Sequence, residues 1–191
     1  MMRAMIMEFP DDPACDTLDR QYMLGGSLLV APVFSEDGSV DYYLPKGRWT
    51  HLLSGEVQEG GRWHRVVHDF LSLPLFVKAG TVLGWGAINH RPDYDYAEGI
   101  TFRIYELEDG GEATCLVGDQ RGRDALKLTA RRNGKTVTAY LEGTIAGEWR
   151  VELVGIGSVN RAVGGSATKE RGGVVIQPAA GQREIRVELA V

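Results

Sequence analysis

Cysteine is scarce in this chain. Cys15 and Cys115 are the only two among 191 residues, far apart and without C-x-x-C spacing. That pattern reads as two buried free thiols in a reducing cytoplasm rather than a disulfide framework. Long apolar runs are also missing, because none approaches the ~18 residues that span a membrane. The opening MMRAMIMEFPDDP is apolar for only about nine residues before turning acidic. It has neither a basic flank nor a cleavage site, so it does not read as a signal peptide. Basic residues are the minority: 21 Lys+Arg stand against 26 Asp+Glu, a net charge of -5. That argues against a nucleic-acid binder, which would show a basic face. Familiar nucleophile and phosphate motifs are absent too. Gly25-Gly26-Ser27 lacks the last glycine of a G-x-S-x-G elbow, and its serine precedes a strand rather than a helix. Val163-Gly164-Gly165-Ser166 is followed by no helical pattern, and no G-x-x-x-x-G-K-[ST] loop occurs.

Glycine, by contrast, is abundant. There are 25, where an average composition would give roughly 13. With no Gly-X-Y period, the excess belongs to tight turns, and many turns in a short chain mean many short strands. Met2–Phe9 reads as a buried strand, broken by Pro10-Asp11-Asp12-Pro13. Asp16 reads as the N-cap of a short helix carrying Leu18, Tyr22 and Met23, stopped by Gly25-Gly26. Strands are then expected at Leu28–Val33, Val40–Leu44, Trp49–Leu53, Trp63–Val67 and Leu71–Val77. The mixed Gly, Pro and Asp stretch from Gly84 to Glu98 reads as a connector between domains. A second β block follows, with strands from Ile100, Asp124, Thr136, Trp149 and Glu184. Asn133-Gly134 between two alternating strands signals a hairpin. Ile185, Val187 and Leu189 share one face of the last strand, opposite Arg186 and Glu188. The first 26 residues could not stand alone as strand, turn and helix, so something should cover Met2, Met5, Met7 and Phe9.

Candidate chemistry is thin. The acidic pairs are Asp11-Asp12, Asp93 with Asp95, and Glu106 with Glu108-Asp109. A hydrolase working by paired carboxyl groups needs them across the scissile bond, which adjacent residues cannot flank, so a turn is the simpler reading of Asp11-Asp12. Tyr94 and Tyr96, with Trp85, could stack on sugar rings, or simply pack a loop. His64 and His68 share a strand face and could hold zinc with His51 as a third ligand, against the simpler reading of surface histidines. Core packing is the expected role of Trp49, Trp63, Trp85 and Trp149. The residues themselves assign no catalytic, cofactor or metal site.

The ordered stretches MRAMIMEFPDDP, LDRQYMLGGSLLVAPVF, YYLPKGRWTHLLSGE and FLSLPLFVKAGTVL resemble glycoside hydrolase family 31. RPDYDYAEG and LEDGGEATC extend the likeness toward the bacterial α-xylosidase branch. The resemblance implies a mainly β fold: two antiparallel β-sandwich domains preceded by a strand–helix remnant of a (β/α)8 barrel. It places the barrel end at residues 1–26, with Met2–Phe9 as the last barrel strand and Asp16–Leu24 as the closing helix region. The proximal sandwich then covers 27–85 and the distal one 86–191. The implied activity is that of a retaining α-glycosidase, an α-xylosidase, cleaving terminal α-xylosyl residues with an aspartate nucleophile and an aspartate acid/base. The nucleophile segments of the family, K-x-D-F-G or W-x-D-M-N, do not occur in this chain. No catalytic residue is therefore carried over, and the implied partners are the missing barrel and a second copy of the chain. Arg3 and Glu8 match positions on the last strand, where a buried pair bracing the barrel is the expectation. A shortened product or a gene start set too late would account for the missing front; a free-standing carbohydrate-binding or assembly module is the alternative.

Overall fold

The computed structural model describes residues 1–119, 121–145 and 147–190. The chain forms two compact units, Met1–Ala79 and Gly80–Val191. Thr81–Trp85 belongs to the second unit, as a strand hydrogen-bonded to Thr101–Tyr105.

The first unit contains β1 (Met2–Ala4), a single helical turn α1 (Met5–Glu8) and a 3-10 turn (Pro13–Cys15). There follow β2 (Tyr22–Leu24), β3 (Leu28–Val30), β4 (Ser39–Leu44) and β5 (Arg48–His51). The unit ends with β6 (Val57–Glu59), β7 (Arg62–Val67) and β8 (Leu75–Lys78). Six strands make one sheet in the order β1-β2-β3-β8-β5-β6, and β4 pairs with β7 in a separate ribbon. Both contribute to one core, centred on Met23, Leu29, Tyr42, Leu44, Trp49 and Phe76. The indole N–H of Trp49, which would be an orphan donor in that core, reaches the Pro45 carbonyl at 2.8 Å.

Two expectations for the front segment fail here. Met2–Phe9 is a strand only as far as Ala4; the chain then turns helical, which carries Met5 fully into the core. Asp16–Leu24 is not a helix. Asp12, not Asp16, makes the cap, accepting the Ala14 N–H at 3.1 Å, and Tyr22–Leu24 pairs with Leu28–Val30 as a hairpin across Gly25-Gly26-Ser27. The reason lies in Gln21. Its buried amide donates to the Tyr43 carbonyl and accepts the Tyr43 N–H, both at 2.8 Å, which holds this stretch extended alongside β4. The front segment is thus part of the six-stranded sheet rather than an orphan, although Met2, Ile6, Met7 and Leu24 stay exposed.

The second unit is mainly β as well. Its strands are β9 (Thr81–Trp85), β10 (Thr101–Tyr105), β11 (Glu112–Gly118), β12 (Asp124–Asn133) and β13 (Thr136–Gly143). They continue with β14 (Arg150–Val154), β15 (Val159–Val163), β16 (Gly165–Glu170), β17 (Gly173–Pro178) and β18 (Glu184–Leu189). Two five-stranded sheets, β16-β17-β14-β10-β9 and β11-β12-β13-β18-β15, share one core. Phe102, Val151 and Ile176 face it from one sheet, and Leu128, Leu141 and Ile185 from the other, as in a β-sandwich. The β12–β13 hairpin forms where expected, with its turn at Gly134-Lys135 because Asn133 pairs with Thr136. Gly134 takes the positive φ of 58° that such a turn needs. Ile185, Val187 and Leu189 are buried, as the alternation predicts.

Trp49→Ala removes the largest fully buried side chain of the first unit. It should cost about 3–5 kcal/mol in urea unfolding. Two glycines with similar φ separate backbone strain from collision. Gly25 (φ 67°) has open space around it and should lose about 1–2 kcal/mol as alanine. A Cβ on Gly38 (φ 75°) would overlap the His68 carbonyl, so Gly38→Ala should lose clearly more.

Candidate functional site

Three of the acidic residues singled out by the sequence, Asp12, Asp95 and Asp109, hold turns and loops through their side chains. Asp12 caps the 3-10 turn and accepts the Tyr43 hydroxyl at 2.9 Å. Asp95 accepts the Ala97 N–H at 3.0 Å, and Asp109 the Gly134 N–H at 2.6 Å. Glu106 holds the only positive φ, 42°, of a non-glycine residue among those described. Arg3 and Glu8 do pair, at 2.8 Å, tying β1 to α1 in a half-buried position.

The histidines divide between two settings. His51 and His68 stack with ring centroids 6.4 Å apart, while His64 stacks on Tyr42 at 5.2 Å. His51 reaches the Leu73 carbonyl with Nε2 at 3.0 Å, which must therefore carry the proton. Its Nδ1 accepts the Ser54 N–H at 3.1 Å, leaving neither nitrogen available. His68 Nδ1 meets the Ser72 hydroxyl at 3.0 Å. Burial is the first cause holding His64 and His68 below the usual 6.5, with the Arg62 charge adding for one and His51 for the other.

Both thiols are free, and burial raises both. Cys15 is pushed up to about 11, with Asp12 and Asp16 contributing after burial. Neither is poised as a nucleophile, which needs a lowered value.

The aromatic trio does not converge. Tyr94 and Tyr96 meet edge to face at 4.9 Å beside a cavity of about 310 Å³ lined by Gly84, Gly86, Cys115 and Leu116. Tyr94 covers Gly86 so closely that any Cβ there would overlap its hydroxyl, and the Tyr96 hydroxyl donates to the Pro92 carbonyl at 2.6 Å. Gly84 borders that cavity, so strand alternation turns Trp85 to the opposite face. There the Arg103 guanidinium lies 4.0 Å from the Trp85 ring centroid and pairs with Glu152 at 2.7 Å. The ring face that a sugar would need is taken. The expectation that all four tryptophans are core residues holds for Trp49 and Trp149 and fails for Trp63 and Trp85, which are exposed.

A cleft of about 500 Å³ lies on the outer face of β13, β18 and β15. Its signal in the sequence is the alternation of Glu184, Arg186 and Glu188, the polar side of the same strand whose apolar side packs the core. No helix among the described residues is long and apolar enough to cross a membrane.

The model of the glycosyl hydrolase family 31 C-terminal domain matches residues 1–83, and that of the C-terminal domain of the alpha-xylosidase YicI matches residues 95–189. The alpha-xylosidase XylQ of Lactiplantibacillus pentosus is 34% identical over 141 residues, 72% of this chain and 18% of that protein. An alpha-xylosidase of Emericella nidulans is 33% identical over 170 residues, 82% of this chain and 22% of its own length. The GH31 dextranase of Flavobacterium johnsoniae superposes with a TM-score of 0.82 over 98% of this chain and 29% of its own, at 19% identity, a likeness of fold. These proteins are glycoside hydrolases with this region as one part. The chain belongs to glycoside hydrolase family 31, within the C-terminal region of that family. It spans about a fifth of the length of the curated relatives it matches.

The two depressed histidines give a pH dependence with a definite sign. The fold prefers the neutral rings, so their contribution is complete above 6.5 and is lost as pH falls through the lowered values. Urea midpoints should therefore fall between pH 7 and about pH 5, and fall less in the His64→Gln, His68→Gln double variant.

Proposed function

We propose that this chain is the non-catalytic C-terminal portion of a retaining α-glycosidase that releases terminal α-xylosyl residues from oligosaccharides. The observation that carries the reading is the pairing of two ordered family matches with carboxylates committed to turns and caps. A retaining glycosidase sets two carboxyl groups about 5–5.5 Å apart with a sugar between them. In this reading the nucleophile and acid/base aspartates are supplied by a barrel outside these 191 residues, and the whole enzyme works in the cytoplasm. The α-xylosidase assignment rests on two relatives of that name at 33% and 34% identity.

The role of the chain is then to brace the barrel and support assembly. The open edge of β1, with exposed Met2, Ile6, Met7 and Leu24 around it, is the surface we assign to that contact. An uncovered strand edge flanked by apolar side chains invites pairing with another chain. Alone, the chain should self-associate as concentration rises in light scattering, and a charge on that edge, Met2→Lys with Met7→Lys, should reduce it. A strictly monomeric wild-type chain at high concentration would remove the argument for this surface.

Activity provides the sharper test. The purified 191-residue chain should release no p-nitrophenol from p-nitrophenyl α-xyloside above the buffer rate. Turnover that survives further purification would overturn the proposal.

A further inference from the structure

The outer face of the sheet β11-β12-β13-β18-β15 is divided in two by its charges. Across β11, β12 and β13 the charges are paired: Arg131 with Glu112 at 2.6 Å, and Lys127 with Glu142 at 3.3 Å. Across β18 and β15 they are not. Among the described residues, Arg161, Glu184, Arg186 and Glu188 make no ion pair within 4.0 Å, although Arg161 stands directly opposite Glu188 in the strand register. All four are exposed, and all four line the cleft of about 500 Å³ together with Thr136 and Gln182. Tyr140, 43% exposed, stands opposite Glu184 on the neighbouring strand.

This arrangement selects its ligand by chemistry. The cleft carries two guanidinium groups and two carboxylates, so its net charge is zero and it offers no field for a phosphate or other polyanion. Successive outward side chains on a strand present acceptor, donor and acceptor in turn at Glu184, Arg186 and Glu188. Vicinal hydroxyl groups, each both donor and acceptor, match such an alternation. Tyr140 adds an aromatic face at the border, for the apolar side of a sugar ring. The cleft volume lies within the roughly 300–1,000 Å³ of small-molecule sites. A second protein chain fits less well, because the core of a protein interface is depleted of charge, whereas Val163 is the one large apolar side chain lining this cleft.

We propose that this cleft is a binding site for a neutral oligosaccharide. It would hold the substrate chain, or a neighbouring branch, near the enzyme. The inference rests on the reading of the parent protein as a glycosidase for its choice of sugar, but its test is independent of hydrolysis.

The 15N-labelled 191-residue chain is titrated with maltoheptaose and with xyloglucan heptasaccharide, followed by amide shifts. Saturable changes centred on Thr136, Thr138, Tyr140 and Arg186 are expected at concentrations up to about 10 mM, the range of weak single-site binding. Tyr140→Ala and Arg186→Ala should each weaken binding about tenfold. Glu188→Gln should weaken it with the smallest risk to the fold, while Thr114→Ala, on the same face outside the cleft, should leave it unchanged. Matching melting temperatures show that the variants are folded. Absence of shifts with both sugars overturns the proposal, as does binding that survives Tyr140→Ala and Arg186→Ala. Shifts that follow protein concentration without sugar would mark a self-association face and also overturn it. Failure here leaves the non-catalytic reading standing, and turnover of the xyloside would leave this cleft untouched.

Discussion

One buried side-chain amide organises the first unit. Gln21 is 4% exposed and bonds both backbone groups of Tyr43, taking the place of a neighbouring strand along β4. An unpaired amide at that depth would cost roughly 1–3 kcal/mol, so the two bonds are needed together. Tyr43 answers through its hydroxyl, which reaches Asp12 at 2.9 Å on the other side of the 3-10 turn. Burial raises the Tyr43 phenol to about 12, with the Asp12 hydrogen bond and charge adding to it. It therefore stays protonated and remains a donor. Between them these contacts fasten residues 12–21 to the ribbon and leave Tyr22–Leu24 free to pair with β3 and β1.

Local patterns were legible wherever side-chain alternation decided the outcome. Ile185, Val187 and Leu189 on β18 and the hairpin around Gly134 form as their period-two pattern and turn chemistry require. The front segment was misread for an identifiable reason. Leu18, Tyr22 and Met23 have helical spacing, but spacing is a weak prior, and the Gln21–Tyr43 pairing overrides it through a contact 22 positions away. Met2–Phe9 failed in the other direction. A continuous apolar run cannot tell a strand from a helical turn, and Met5 is buried by a turn that begins at that residue.

Asp12 and Asp95 sit in Asx-type turns, where a side-chain oxygen replaces a backbone acceptor, while Asp109 reaches across to the hairpin turn at Gly134. The aromatic trio failed on geometry that no spacing encodes: strand alternation sends Trp85 away from Tyr94 and Tyr96, and Arg103 covers its ring. The cleft on β13, β18 and β15 escaped notice because charges alternating along an outer strand face normally signal nothing but solvent. Only the register, which places Arg161 against Glu188 without an ion pair, separates it from the paired half of the same sheet.

The central claim is that this chain is one part of a larger glycosidase, and the size of the native polypeptide tests it most directly. An antibody raised against the 191-residue chain should capture, from the source cells, a protein roughly five times the 21.0 kDa of this chain, judging from the share of its relatives that it spans. Intact mass and N-terminal peptides should place a (β/α)8 barrel ahead of Met2. A captured species of 21.0 kDa beginning at Met1 or Met2, with no longer form, would contradict the account.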